Sequence, residues 1–204
     1  IGAAAYAAPT LVSFAAKIQG KAAHAGFHPE DGINSIQAAA HAIAQLPQGH
    51  VDESTTANIG KIGGGSGTNI VSESCVIKGE IRSLNHETAM ELLETYYRTF
   101  QQEAEKIGAK LVWEEKLNIH AYETPLTSDA ARHYESAVAE EGLTAAFEKT
   151  FGGSDNNVFA QHGIEGLVIA TSMNQVHSCA EYTKIPEIAQ VARIVANLAA
   201  PQEA

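Results

Sequence analysis

The order of the periodic segments predicts an α/β protein in two parts. Between residues 10 and 119, segments with strand and helix periodicity follow in the order strand, helix, strand, strand, helix, strand, which is the split β-α-β pattern of ferredoxin-like domains. After residue 119, helices alternate with short strands, which is typical of a parallel α/β sheet. A chain of 204 residues with 45% hydrophobic residues is large enough to bury a core in this arrangement.

The first part begins with a strand and a helix. Side chains of residues 10–19 alternate between an apolar and a more polar face, which predicts a strand that ends at Gly20. Residues 33–46 repeat apolar side chains at spacings of three and four, which predicts a helix that is ended by Pro47.

Two strands are predicted next, over residues 56–62 and 74–83, with the sequence GGGSG at residues 63–67 between them. A phosphate-binding P-loop ends in Gly-Lys-Ser or Gly-Lys-Thr and opens a helix, whereas these glycines lead into another strand. The segment is therefore interpreted as a connection between strands and not as a nucleotide site.

The strongest helical period lies over residues 86–107, with Asn85 as the predicted N-terminal cap. Residues 110–119 then alternate as the last strand of the first part. The helix is expected to face the core with a stripe formed by Met90, Leu93, Tyr97, Phe100, Ala104 and Ile107.

The second part alternates between helices and strands, and the residues before Thr10 are expected to belong to it. Its predicted segments are helix 128–141, strand 145–149, short helix 155–162, strand 167–170 and helix 186–200. Loops at strand exits commonly carry chemistry, so polar residues after these strands are candidates for a site.

Charge and cysteine content narrow the class of protein. A net charge of −11 argues against nucleic acid and anionic membranes as partners, because phosphate binding depends on cationic side chains. No apolar run approaches the roughly 18 residues that cross a bilayer, and the first residues lack the basic start of a signal peptide. Cys75 and Cys179 are too few for a disulfide framework. The sequence indicates a cytoplasmic protein whose natural N-terminus lies upstream of Ile1.

Three short motifs are the most informative part of the sequence: GKAAHAG at residues 20–26, GGSDNN at 152–157 and QVHSCAEY at 175–182. Their order and separation resemble the two-zinc exopeptidases related to peptidase T, aminoacylase and the glutamate-releasing carboxypeptidases, and the peptidase T-like branch fits best. TTANIG at 55–60 and TNIV at 68–71 belong to the same resemblance, which runs over nearly the whole chain.

This resemblance implies a domain organisation. Residues 9–119 correspond to the family's ferredoxin-like lid, through which its members form homodimers. Residues 1–8 and 120–204 correspond to the C-terminal portion of the α/β zinc-peptidase catalytic domain. Because nothing in this chain resembles the catalytic half that supplies most metal ligands, we expect a C-terminal piece of a longer enzyme that is inactive alone. The intact subunit is expected to bind two zinc ions.

One metal ligand is expected within this chain. A two-zinc site requires converging histidines and carboxylates, yet no His-x-Asp occurs, and the acidic pairs at 114–115 and 140–141 are interpreted as solvated surface. The resemblance assigns His177, followed by a serine and by Glu181, as a ligand of the second zinc. Cys179 is interpreted as packing or loop, because a His-x-Cys pair cannot close a tetrahedral site.

The resemblance also assigns substrate-binding groups. His24 corresponds to the lid histidine that donates an N–H to the oxyanion of the tetrahedral intermediate. Asn69 and Arg82 match lid positions that hold the substrate backbone or its carboxylate. Arg82 shares a face of its strand with Lys78 and Glu80, so a plain cross-strand ion pair is a competing interpretation. A modest anion cradle before the short helix is expected from the N–H groups of Gly152, Gly153 and Ser154.

The parent protein is thus predicted to be a metallopeptidase that hydrolyses a peptide or related amide bond, most closely a di- or tripeptide aminopeptidase. Its substrate would be a small peptide or an N-acyl amino acid. Two alternatives stay open. One is a deacylase or desuccinylase of the same family, because the motifs fix the amide chemistry and not the acyl group. The other is a non-catalytic dimerisation or small-ligand module.

Overall fold

The chain forms two compact units, one of which is inserted into the sequence of the other. A computed structural model describes residues 1–200. The inserted unit is Pro9–Ala121, and the discontinuous unit consists of Ile1–Ala8 together with the chain from Tyr122 onward. Within residues 1–200, no helix is both long and apolar enough to cross a membrane.

The helices agree with the predicted segments to within two residues at each end. In chain order the strands are β1 (Ala3–Ala8), β2 (Thr10–Gln19), β3 (Gly49–His50), β4 (Thr55–Gly64), β5 (Ser74–Ser83), β6 (Lys110–Ile119), β7 (Tyr122–Glu123), β8 (Ala146–Lys149) and β9 (Val168–Ile169). The helices are α1 (Ser35–Gln45), α2 (His86–Lys106), α3 (Asp129–Ala139), α4 (Asn156–Gln161) and α5 (Ile185–Ala199), with a 3-10 turn at Pro29–Asp31.

The inserted unit is an antiparallel sheet against which α1 and α2 pack. The strand order is β3-β4-β5-β2-β6, and every neighbouring pair is antiparallel. The four long strands therefore have the order of a ferredoxin-like domain, as predicted, and the two-residue β3 is an additional edge strand. The buried core includes Val12, Phe14, Ile18, Ala38, Ala42, Ile77, Ile81, Leu93, Tyr96 and Phe100.

Helix α2 presents a slightly different face to the core than its apolar repeat predicts. Tyr96 is fully buried and donates its hydroxyl to the carbonyl of Pro47, whereas Tyr97 is only half-buried beside Trp113. The prediction of Tyr97 as the core tyrosine is wrong, because α2 packs against α1 as well as against the sheet. Burial raises the pKa of Tyr96 to about 12, so its hydroxyl stays protonated and remains a donor at neutral pH. Asn85 caps the helix as predicted.

The centre of the sheet is closely packed around Phe14. Its ring stacks on Trp113 with ring centroids 5.1 Å apart and meets Tyr96 edge-on at 5.3 Å. Gly79 pairs with Phe14 across β2 and β5. A Cβ at Gly79 would lie 2.5 Å from both the Phe14 ring and the carbonyl oxygen of Asn58. The absence of a side chain at Gly79 therefore permits the aromatic cluster to form on the sheet.

The discontinuous unit is a four-stranded sheet with β1 at its centre. Strand β8 pairs with β1 in parallel, whereas β7 and β9 are antiparallel to it. The sequence predicts a parallel sheet, so the two antiparallel pairings correct that expectation. Strand β7 is antiparallel because the chain leaves this unit at Ala8 and re-enters it at Tyr122, and these two residues pair directly. The core of the unit contains Ala4, Tyr134, Ala137, Val138 and Ile194.

Candidate active-site groups

His24 lies in an exposed turn that follows β2, and the turn itself orients its ring. The backbone N–H groups of Phe27 and His28 donate to the carbonyl oxygen of His24 at 3.3 and 3.1 Å, which closes the turn. The N–H of Gly26 donates to Nδ1 of His24 at 3.1 Å. Because Nδ1 accepts this bond, the neutral ring carries its proton on Nε2. The His24 turn therefore offers an N–H donor at the outer edge of the imidazole.

The structure brings Asn69 beside His24. The N–H of Ala25 donates to the carbonyl oxygen of Asn69 at 3.0 Å, and His24 forms an isolated antiparallel bridge with Ile70. Two segments that are 45 residues apart in sequence thus run side by side beyond the end of the sheet. Both side chains lie in the exposed part of the inserted unit, where a substrate has access to them.

Arg82 takes part in an ion pair near the end of β5. Its Nε donates to Oε1 of Glu80 at 2.9 Å, and both side chains are partly exposed. The competing interpretation is a cross-strand ion pair, whereas this pair joins two residues of the same strand. An ion pair between partly exposed side chains stabilises the folded state by roughly 0–1 kcal/mol. A substrate carboxylate therefore replaces Glu80 at little cost in free energy. The assignment of Arg82 to substrate binding stays a prediction.

His24 and Arg82 lie at opposite ends of the sheet of the inserted unit. In the continuous pairing of β2 with β5, Gln19 is opposite Ser74, next to the His24 turn, whereas Leu11 is opposite Arg82. The eight residue-to-residue steps from Ser74 to Arg82 extend over roughly 27 Å at about 3.4 Å per residue in an antiparallel strand. One copy of this unit therefore cannot bring both side chains to the same small substrate.

The loop after β8 carries the second motif. The N–H of Gly152 donates to Oγ1 of Thr150 at 3.0 Å, and the N–H of Ser154 donates to Oδ1 of Asn157 at 2.9 Å. Two N–H groups of the expected anion cradle are thus hydrogen-bonded within the loop. Among the residues that the structure describes, the buried Oγ of Ser154 has no hydrogen-bond partner. The loop, including Gly153, lines a cavity of about 210 Å³ together with β9, and its substrate-binding role stays a prediction.

A loop over residues 170–184 follows β9 and presents His177. Asn174 and Tyr182 exchange two backbone hydrogen bonds of 2.9 and 3.1 Å, which close the base of the loop. The backbone N–H of His177 donates to Oε2 of Glu181 at 3.0 Å, and the residue is exposed. The acid that follows His177 in the motif therefore orders the loop, a function that the sequence does not reveal.

Backbone strain is concentrated in this same loop. Ser172, Gln175 and His177 have φ values of 64°, 53° and 63°, in the left-handed region that L-residues disfavour by roughly 1–2 kcal/mol each. Such strain persists where the surrounding structure enforces it, and it clusters at functional sites. This finding is consistent with a ligand role for His177, which stays a prediction.

The resemblance is borne out by comparison with known proteins. The peptidase dimerisation domain of the M20 peptidases matches residues 6–108, which is half of the chain. The chain belongs to the M20 peptidase family. The uncharacterised Bacillus subtilis protein YqjE is 35% identical over 189 residues, which cover 93% of this chain and 51% of YqjE.

Two solved structures of M20-type peptidases extend the similarity to three dimensions. Aminopeptidase PepT from Bacillus cereus matches with a TM-score of 0.90 and 34% identity, covering 97% of this chain and 53% of PepT. A tripeptidase from Staphylococcus aureus matches with a TM-score of 0.93 and 30% identity, again covering 97% of this chain and 53% of the tripeptidase. This M20 chain therefore spans about half the length of the relatives that it matches.

The donor groups of this M20 chain limit its capacity to bind metal ions. Within residues 1–200, no three His, Cys, Asp or Glu side chains lie close enough together to hold a metal ion. The exposed ring of His177, on a loop ordered by Glu181, fits the role of a single ligand. Both Cys75, which is buried, and Cys179, which is exposed, are free thiols. The remaining ligands of a two-metal site would have to come from other segments of an intact M20 peptidase.

We predict that the isolated M20 chain will hold no stoichiometric zinc after dialysis, because one imidazole cannot close a four-coordinate site. Elemental analysis of the dialysed chain provides the measurement, with the full-length protein, expected to retain zinc, as the control. Two tightly held zinc ions per isolated chain would refute the count of one ligand.

Proposed function

We propose that the intact protein is a two-zinc M20 exopeptidase that cleaves a peptide bond in a di- or tripeptide. The observation that carries this proposal is the His24 turn, in which Gly26 fixes the imidazole so that Nε2–H is the donor. Similarity to an aminopeptidase and a tripeptidase, each at 30% identity or more, supports the substrate class. Two free thiols fit a reducing cytoplasm.

In this proposal His24 stabilises the charge that develops on the scissile carbonyl oxygen. A preorganised N–H donor in a water-poor site lowers the barrier by roughly 3–4 kcal/mol. His177 is one ligand of the metal pair, and Glu181 holds its backbone. The zinc ions, when bound, supply Lewis acidity and a nucleophile at neutral pH.

The other predicted residues bind the substrate. Asn69, beside His24, hydrogen-bonds the substrate backbone, and Arg82 binds its carboxylate with the planar guanidinium. The loop of Gly152, Gly153 and Ser154 lines the pocket beside β9. Because His24 and Arg82 are roughly 27 Å of strand apart, one active site takes His24 and Asn69 from one subunit and Arg82 from the other. The active enzyme is therefore a homodimer.

A panel of substrates on the zinc-loaded full-length protein tests this function. We expect the highest kcat/KM on di- or tripeptides with a free amino terminus. Preferential hydrolysis of N-acyl or N-succinyl amino acids would make the protein a deacylase of the same family. No hydrolysis by a fully metal-loaded protein would contradict the proposal and leave a dimerisation or small-ligand module.

The role of Arg82 gives a separate prediction. Arg82→Lys in the full-length protein should lose the bidentate contact and weaken kcat/KM roughly tenfold or more on peptides with a free carboxylate, with a smaller loss on their amides. Glu80→Gln removes the ion pair and retains the guanidinium, so this control should keep its activity. Equal losses on acids and amides would identify Arg82 as a structural residue.

A further inference from the structure

Phe27 is an exposed aromatic residue next to the proposed oxyanion donor. Its relative exposure of 75% is the highest of the exposed large hydrophobic residues in the described inserted unit. Its ring nevertheless stacks on the imidazole of His24, with ring centroids 4.3 Å apart and ring planes inclined by 26°. Resting on the proposed function, we infer that Phe27 is a positioning residue that holds the His24 ring so that Nε2–H faces the substrate.

The stack supplies a constraint that the hydrogen bond alone lacks. The bond from the Gly26 N–H to Nδ1 is in an exposed turn, where water competes for both groups. A half-turn of the ring about Cβ–Cγ would put Cδ2 in the place of Nδ1 and Cε1 in the place of Nε2. That rotation breaks the Gly26 bond, which fixes the tautomer, and turns Nε2–H away from its position. Phe27 covers one face of the imidazole and shields the Gly26 bond from that side. Rotation of the ring would require the aromatic contact to break.

The turn determines how Phe27 reaches His24. Its N–H donates to the carbonyl oxygen of His24, which curls the chain so that the side chain three positions later lies over the ring. The Gly26 N–H lies 3.1 Å from Nδ1, so the imidazole also contacts the backbone of the turn. The backbone and the aromatic ring thus contact the imidazole from two sides, while the residue stays exposed to a substrate.

Nuclear magnetic resonance of this chain tests the stack without any need for activity. Long-range ¹H–¹⁵N spectra distinguish the two neutral tautomers of histidine, and His24→Ala identifies the signals of His24. We expect an unprotonated Nδ1, a protonated Nε2 and ring-current shifts on the imidazole protons. Phe27→Leu should abolish those shifts and mix the tautomers, whereas Phe27→Tyr should preserve both. A single tautomer that survives Phe27→Leu would overturn the inference.

Kinetics of the full-length enzyme test the consequence. Phe27→Leu should lower kcat roughly tenfold, the upper range for one aromatic ring contact, with little change in KM, and Phe27→Tyr should restore kcat. Ile62→Ala, which shortens another exposed apolar side chain of the same unit, is the matched control and should be neutral.

A double mutant separates positioning from other roles of Phe27. In a His24→Ala background, Phe27→Leu should cause no further loss, because the residue that it positions is absent. An equal loss in both backgrounds would mean that Phe27 acts elsewhere, for example as a contact to the partner subunit, and would overturn the inference. If His24→Ala is fully active, the proposed function of His24 fails, while the spectra still decide whether the stack orients the ring.

Discussion

Mixing two nearly inactive variants of the intact enzyme, His24→Ala and His177→Ala, should restore about a quarter of the wild-type activity. Each parent homodimer lacks one group in both active sites. Loss of the oxyanion donor alone is expected to lower kcat by roughly 10²–10³-fold. In a mixed dimer, one site contains both histidines and the other contains neither, provided that His24 acts in the partner's site. Random pairing makes half of the dimers mixed, and half of their sites are complete.

The geometry of the inserted unit supports an active site that is assembled from two subunits, as complementation requires. His24 and Arg82 are at opposite ends of the paired strands β2 and β5, separated by roughly 27 Å of extended chain. A site that requires both side chains at one small substrate is therefore assembled from two subunits. Complementation would also exclude a purely structural role for His24 and His177, because a structural defect in one subunit is not repaired by the other subunit's ring.

His28→Ala provides a matched control for this experiment. His28 is a second exposed histidine four residues from His24, and its Nδ1 lies 3.4 Å from Oε1 of Glu30. The His28→Ala parent should itself be fully active, and an equal mixture with His177→Ala should show about half of the wild-type activity, because every subunit keeps His24 and half of the sites keep His177. If subunit exchange is verified by mass spectrometry and the His24 and His177 variants still show no recovery, His24 does not act in the partner's site.

Gly79→Ala should destabilise the chain by about 1–3 kcal/mol, the usual cost of an added methyl group in a closely packed core. The new Cβ would meet the Phe14 ring and the carbonyl oxygen of Asn58 at 2.5 Å, so either the aromatic cluster or the β4–β5 pairing must shift. Urea unfolding of the isolated chain measures the change, read as a lower midpoint at constant slope.

Gly63→Ala is the matched control, because this glycine lies on the neighbouring strand β4 and has no atom within 4 Å of an added Cβ. Alanine restricts the unfolded chain more than glycine does, so this variant should be neutral or stabilised by roughly 0.4–1 kcal/mol. Equal destabilisation at both positions would show that the close approach at Gly79 is not the cause.

Much of the fold follows from patterns within single segments of the sequence. The alternation over β2 and β6 and the period of α2 predict those elements closely, and the order of elements predicts the ferredoxin-like topology, which is confirmed. The family resemblance, carried by three motifs, is confirmed as well. These features are predictable because burial on one face of an element imposes a regular repeat on its own sequence.

Features that depend on contacts between distant segments cannot be predicted from the repeat within one segment. Strand β1 is rich in alanine and carries little periodicity, yet it is the centre of its sheet because β7, β8 and β9 pair with it. Glu103 is a buried carboxylate in the last turn of α2, and one of its partners, Gln45, comes from α1. The tautomer of His24 depends on a turn hydrogen bond, which the identity of the residue does not specify.

The insertion of one unit into the other has a consequence for how the protein is made. Strand β1 leaves the ribosome before the 113 residues of Pro9–Ala121, so its first pairing partner, β7, appears roughly 6–23 s later at about 5–20 residues per second. An unstructured loop of that length would cost roughly 4 kcal/mol to close. A folded inserted unit removes most of that cost, because the N–H of Ala121 donates to Oγ1 of Thr10 at 2.9 Å and holds the two chain ends together. The order of synthesis thus favours folding of the inserted unit first, and its completion delivers Tyr122 to Ala8 when β7 emerges.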